Sequence, residues 1–173
     1  MLARAGNQLA LEALIKEYQS RIARYVVAHI GRGCDYEDLC QTIFVKMVLN
    51  LRKLKAPEMF EPWLFTIARN ACVDYLRRRK WRNRIFVAYE SWHEAIAAAM
   101  PEDGGDRAAR VEAALCRLRA DERELLALAH EKSLSYEELA RISNISVAAL
   151  KSRLFRARDR LRRILNRSEA PHD

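Results

Sequence analysis

The side chains best placed to do chemistry in this chain are cations in ordered runs, not paired catalytic groups. Lys151, Arg153, Arg156, Arg158, Arg160, Arg162, Arg163 and Arg167 surround an apolar stripe formed by Leu150, Leu154, Ala157, Leu161 and Ile164, with Asp159 the one acid among them. The stripe recurs at i, i+4, i+7, i+11 and i+14, which is helical spacing. Eight bases against one acid is too lopsided for ordinary surface ion-pair patterning. A helix so charged fits the polyanionic walls of a DNA major groove.

A second cationic cluster, Arg77-Arg78-Arg79-Lys80-Trp81-Arg82-Asn83-Arg84, follows an apolar helix that carries Asn70 and Asp74. Asn70, Asp74 and Arg77 are spaced i, i+4, i+7 and so share one helix face. An amide and a carboxylate beside clustered arginines suit base-edge reading combined with phosphate gripping. Trp81 is either a stacking platform for an unpaired base, worth about 1–3 kcal/mol, or a cap on the local core.

Catalytic constellations are missing. A nuclease needs clustered carboxylates for metal ions, and the acids here are capping, linker or scattered residues. Cys34, Cys40, Cys72 and Cys116 have no C-x-x-C spacing, and no histidine lies near them in a metal-binding pattern; they read as reduced, half-buried core thiols. No stretch reaches the roughly 18 uninterrupted apolar residues of a membrane span, so a soluble, intracellular protein without direct membrane insertion is expected. No cofactor and no small-molecule substrate are implied.

The positioning elements come from periodicity and charge. Across 173 residues the net charge is +8, but unevenly: residues 1–84 balance at +8, 85–106 at −5 and 107–173 at +5. Two basic blocks flank an acidic insert, and a polyanion partner follows for the blocks. The spacing predicts a helix over about 8–29, broken at Gly31-Arg32-Gly33, and a second from an Asp35 cap to about Leu51. A loop at Lys55–Glu58 precedes a third helix over about Phe60–Arg79, with Phe60, Trp63, Leu64, Ile67, Ala71 and Tyr75 inward. Residues 85–106 read as a tether with at most a short helical piece. A four-helix block resumes near Arg107, with Asp121 and Glu124 offering a capping box for one of its helices. Ser135 and Glu138 offer another, Asn144 suits a left-handed turn, and Ser146 can cap the arginine-rich helix. The expected fold is all-α: two small helical domains joined by a flexible acidic linker, the C-terminal one a helix-turn-helix.

One helix is apolar on more than one side. Leu39, Ile43, Met47 and Leu51 make a stripe, while Val45 and Val48 lie on another face with Asp38, Gln41 and Arg52. A small domain has one core to bury, so a second mixed face points to a protein partner, the alternative being a helix that is simply central in the first domain.

With these elements in place, the chain over about 8–165 resembles a bacterial extracytoplasmic-function (ECF) RNA polymerase sigma factor. Asp38-Leu39-Cys40-Gln41-Thr42-Ile43-Phe44 is similar to the family's polymerase-binding motif. Trp63-Leu64-Phe65-Thr66-Ile67-Ala68-Arg69-Asn70, followed by Asp74 and the arginines, is similar to its promoter-melting motif. Leu134–Ala140 and Lys151–Arg158 are similar to those of its terminal domain.

The resemblance implies a division into residues 1–84 (region 2), 85–106 (linker) and 107–173 (region 4). It implies that Asp38, Gln41, Val45 and Val48 dock on core RNA polymerase. Asn70 would pocket a flipped base of the minus-ten element, beside Lys55, Asp74, Arg77, Arg78 and Arg79. Ser146, Ala149, Lys151, Ser152, Arg153 and Arg156 would read the minus-thirty-five element. The implied partners are core polymerase, promoter DNA and a membrane-anchored anti-sigma factor, and the implied location is the cytoplasm. Two departures bear on the DNA code: Val147-Ala148-Ala149 stands where the family often has Pro-Gly-Thr, and Asn144 stands where glycine is common. The alternative reading is a stand-alone helix-turn-helix regulator, which explains the terminal domain but neither the Val45 face nor Asn70 beside its arginines.

Overall fold

A computed structural model describes residues 2–31, 35–54, 56–85, 106–131 and 133–168. Among these there are seven α-helices and no strand. They are α1 (Gln8–Ile30), α2 (Tyr36–Asn50), α3 (Phe60–Ile85), α4 (Asp106–Cys116), α5 (Ala120–His130), α6 (Tyr136–Ser143) and α7 (Val147–Ser168). Short 3-10 turns at Leu51–Lys53 and Pro57–Met59 lead from α2 into α3. The tether expected over 85–106 lies almost wholly outside the described residues, as do Cys34 and Lys55.

The N-terminal helices form because each presents a continuous apolar stripe to the others. Ile22, Tyr25 and Val26 of α1, Ile43 and Met47 of α2, and Leu64, Phe65, Ala68 and Cys72 of α3 are all essentially inaccessible. Edge-on ring contacts, Tyr18–Phe60 at 5.2 Å and Tyr25–Phe65 at 5.6 Å, tie α1 to α3, a geometry aromatic quadrupoles favour. Asn7 caps α1 by accepting from the Ala10 amide at 3.0 Å, and Gly31 ends it at φ 85°, a backbone conformation that glycine adopts without strain.

Three local expectations are corrected. Asp35 occupies the N-cap position of α2 but makes no capping bond; its carboxylate accepts from the Tyr75 hydroxyl at 2.6 Å, pinning α3 to the start of α2. The third helix runs six residues further than expected, to Ile85 instead of Arg79, because nothing in Lys80–Arg84 breaks a helix. Asp121 and Glu124 do not form a capping box. The N-cap of α5 is Arg119, whose amide donates to Glu122 at 2.9 Å, which leaves Glu124 one turn on and buried.

The two halves do not stand apart. α5 lies along α1 and α6 against α3, and their buried side chains join one apolar cluster.

Candidate nucleic-acid interface

The helix-turn-helix is built by local chemistry. The Glu138 amide donates to Ser135 Oγ at 3.2 Å, and the Ser135 amide donates to Glu138 Oε2 at 2.7 Å, closing the expected capping box at the start of α6. Asn144 then sits at φ 53°, ψ 47°. The amides of Asn144 and Ile145 donate back to Arg141 and Ala140 at 3.1 and 3.0 Å, so the left-handed residue satisfies the helix's last carbonyls. The Ala149 amide donates to Ser146 Oγ at 3.2 Å, capping α7 as its sequence suggests.

Leu150, Leu154 and Ala157 of α7 are buried against α5 and α6, which turns the basic side chains outward. Lys151, Ser152, Arg153 and Arg156 are exposed, as is Ser146, while Ala149 is half-buried. The Lys151 ammonium lies 5.8 Å from the Tyr136 ring centroid, so a cation–π contact restrains it. Two of the arginines are held: Arg160 pairs with Glu122 of α5 at 3.5 Å and Arg163 with Asp159 at 2.8 Å. Phe155 is 73% exposed in the middle of this cationic face. The sequence reading did not single out Phe155, although helical spacing already places it off the Leu150–Leu154–Ala157 stripe.

On α3, Asn70 faces solvent and Arg77 pairs with Asp74 at 3.1 Å across one helical turn. Arg78 is exposed and Arg79 partly so. The exposed face of α2 carries Asp38, Gln41, Val45 (57% exposed) and Val48, together with Leu49, which the sequence pattern had not singled out. The structure also unites residues that sequence treated as separate. A groove of about 750 Å³ runs between α2 and α3, with Asp38 and Lys46 on one wall and Asp74, Arg77 and Arg78 on the other. Gln41, Val45, Val48 and Asn70 do not line it. Trp81 has its backbone in α3, but its side chain lies outside what the structure describes.

No group of metal ligands occurs among the described residues. Cys72 is fully enclosed, and burial, reinforced by the nearby Glu124 carboxylate and the Cys40 sulfur, pushes its thiol up to about 12. Cys40 is also raised, chiefly by burial. These are core thiols, not nucleophiles. No described helix is long and apolar enough to cross a membrane.

Two family profiles match: sigma-70 region 2 over residues 14–82 and sigma-70 region 4 over residues 108–161. The RNA polymerase sigma factor CarQ of Myxococcus xanthus is 31% identical over 169 residues, 96% of this chain and 95% of its own length. The chain belongs to the sigma-70 family. The ECF RNA polymerase sigma factor SigM of Bacillus subtilis is 30% identical over 92% of this chain and 97% of its own length, which places this sigma factor in the ECF class. Among solved structures, the sigma factor RpoE of Bartonella quintana, crystallised with the anti-sigma factor NepR, superposes with a TM-score of 0.74. It is 26% identical and covers 90% of this chain and 98% of its own. CnrH, in complex with the cytosolic domain of CnrY, gives 0.67 at 27% identity, over 98% of this chain and 95% of its own. This sigma factor therefore binds core RNA polymerase and directs promoter-specific transcription initiation.

Proposed function

We propose that each function of this sigma factor maps to a separate face of the structure. The outer face of α2, through Asp38, Gln41, Val45 and Val48, docks on core polymerase: the carboxylate and amide fix register, and the valines are buried on docking. Asn70 receives a base flipped from the minus-ten element. Asp74, Arg77, Arg78 and Arg79, with Lys55, hold the strand from which it came. The N-terminal turns of α7, through Ser146, Ala149, Lys151, Ser152, Arg153 and Arg156, enter the major groove of the minus-thirty-five element, where Phe155 offers the apolar contact that a thymine methyl accepts. Residues 1–84 and 107–173 work as the two recognition modules, with 85–106 as their tether.

The work is physical, not chemical. Unstacking costs a few kcal/mol per flipped base, offset by pocketing that base and by electrostatic capture of the strand, an attraction that weakens with salt. The protein acts in the cytoplasm without catalysis of its own. A membrane-anchored anti-sigma factor restrains it, a reading supported by the complexes in which its structural neighbours were solved. The observation that carries the assignment is that the Asn70 face of α3 and the cationic face of α7 are both open to solvent, one in each matched region. A stand-alone duplex-binding regulator would leave the first of these unused.

Run-off transcription with purified core polymerase tests it. Asn70→Ala weakens open-complex formation and spares polymerase binding; Val45→Asp abolishes polymerase association and leaves the fold intact. An identical defect from both changes would refute the division of labour.

A further inference from the structure

Asp35 stands at the N-cap position of α2, where an aspartate ordinarily accepts from the helix's own amides, yet it makes no capping bond. Its carboxylate instead accepts from the Tyr75 hydroxyl of α3 at 2.6 Å, across 40 positions of sequence. A short bond from a phenol to a charged acceptor is among the stronger kinds. The Tyr75 ring packs against the core cluster, while its hydroxyl meets Asp35 in an exposed setting.

The bonded pair spans the groove between α2 and α3, with Leu39 and Ala71 buried at its floor. Asp38 lies one turn along α2 from Asp35 on the same wall, and Asp74, Arg77 and Arg78 flank Tyr75 on the other. Asp38 belongs to the face proposed to dock on polymerase, and the two arginines to the face proposed to hold the strand. The Asp35–Tyr75 bond therefore joins the wall that meets polymerase to the wall that meets DNA. Apolar packing between the two helices is non-directional, whereas a hydrogen bond weakens steeply as its geometry departs from ideal. The bond thus limits how far α3 can slide or roll against α2. Arg77 is held in turn by Asp74 at 3.1 Å, so the placement of Tyr75 passes to the strand-holding cations through one turn of helix.

We propose that Tyr75, acting through Asp35, is a positioning residue for promoter opening: it sets the strand-holding cations of α3 at a fixed offset from the polymerase-docking face of α2. The proposal rests on the assignment of function above and adds to it a link between two of its faces. Polymerase docked on α2 presents the strand at a fixed place relative to itself, and groups that must meet there tolerate displacements of only about 0.5 Å. Loss of the bond leaves each face intact and spoils their mutual placement.

Tyr75→Phe removes the hydroxyl and keeps the packed ring. The full chain is tested with purified core polymerase, at a temperature where circular dichroism shows variant and wild type equally folded. Polymerase affinity is read by fluorescence anisotropy, and strand opening by 2-aminopurine fluorescence in the minus-ten element. Tyr75→Phe keeps polymerase affinity within about twofold of wild type and slows opening about tenfold, the loss expected for one bond to a charged acceptor. Asp35→Ala gives the same split, and the double variant is no worse than either single change, because both remove one shared contact. Asp35→Asn, whose side-chain carbonyl still accepts from the phenol, restores most of the opening rate. A purely structural bond would lower polymerase binding and opening together, and that result would overturn the proposal. Opening at the wild-type rate by folded Tyr75→Phe would overturn it equally. If Tyr75→Phe does not fold at the assay temperature, Asp35→Ala is judged by the same criteria. Failure of the wild-type chain to give any promoter-specific transcript would instead refute the assignment of function beneath it.

Discussion

Ser146 has an observed role as the cap of α7 and a proposed one at the minus-thirty-five duplex, and one pair of substitutions separates them. Its hydroxyl accepts from the Ala149 amide at 3.2 Å, in an exposed setting, and it stands at the end of α7 proposed to approach the minus-thirty-five duplex. Ser146→Ala removes the acceptor. A lost N-cap costs about 1 kcal/mol, and one long, solvated bond belongs at the lower end of that range, so a fall in Tm of about 2–4 °C is expected. Ser146→Asp keeps an acceptor and adds a negative charge that the positive end of the helix dipole favours by about 0.3–1 kcal/mol, so its Tm equals or exceeds wild type. On DNA the order changes. A carboxylate roughly 6 Å from a phosphate, at an effective dielectric of about 40, is repelled by about 1.4 kcal/mol, or tenfold in Kd. Calorimetry and fluorescence anisotropy on a minus-thirty-five duplex, both with the full chain, read the two effects. Ser146→Asp binding as tightly as wild type would show that the start of α7 stays away from the backbone and would refute the proposed docking. Ser146→Ala melting at the wild-type temperature would show that the observed cap contributes nothing.

Two further outcomes follow from buried groups. His29 is enclosed between α1 and α5, its Nδ1 3.9 Å from Glu124 and without a hydrogen-bond partner. Burial lowers its pKa first; the Glu124 carboxylate opposes this and the Arg69 and Arg123 cations reinforce it. The unfolded chain therefore takes up the proton before the folded one, and stability falls as pH drops below about 6.5. Urea unfolding between pH 7.5 and 5.5 should show that slope, and His29→Gln should flatten it; an unchanged slope would remove His29 as the cause. Cys72, with its thiol near 12, should resist alkylation at pH 8 in the folded protein and react on unfolding, read residue by residue by mass spectrometry. Rapid labelling under native conditions would contradict its burial.

Much of the recognition apparatus was legible in the sequence because it is local. The Ser135–Glu138 box, the left-handed Asn144 and the Ser146 cap each join residues within four positions of one another. The outward arginines of α7 and the exposed Val45 face of α2 follow from helical period alone, since a 3.6-residue repeat fixes which side chains share a face. The Asp35 and Glu124 expectations failed for the opposite reason. Both are acids near a helix start, where local rules assign a cap, but Asp35 accepts from a hydroxyl 40 residues away and Glu124 pairs with an arginine 55 residues away. Charge pattern marked two basic blocks joined by an acidic insert and left their placement open, with no sign that α1 and α3 present surfaces complementary to α5 and α6.

The sequence by itself determined the helices, the turn and the identity of the outward cations, because hydrophobic period and capping act over a few residues. Only the tertiary structure decided that the two halves meet, that Glu124 is the centre of their contact, and that Asp38 faces Asp74, Arg77 and Arg78 across one groove. Those facts depend on which charged side chains find partners between 40 and 110 positions distant, and no local preference encodes that choice.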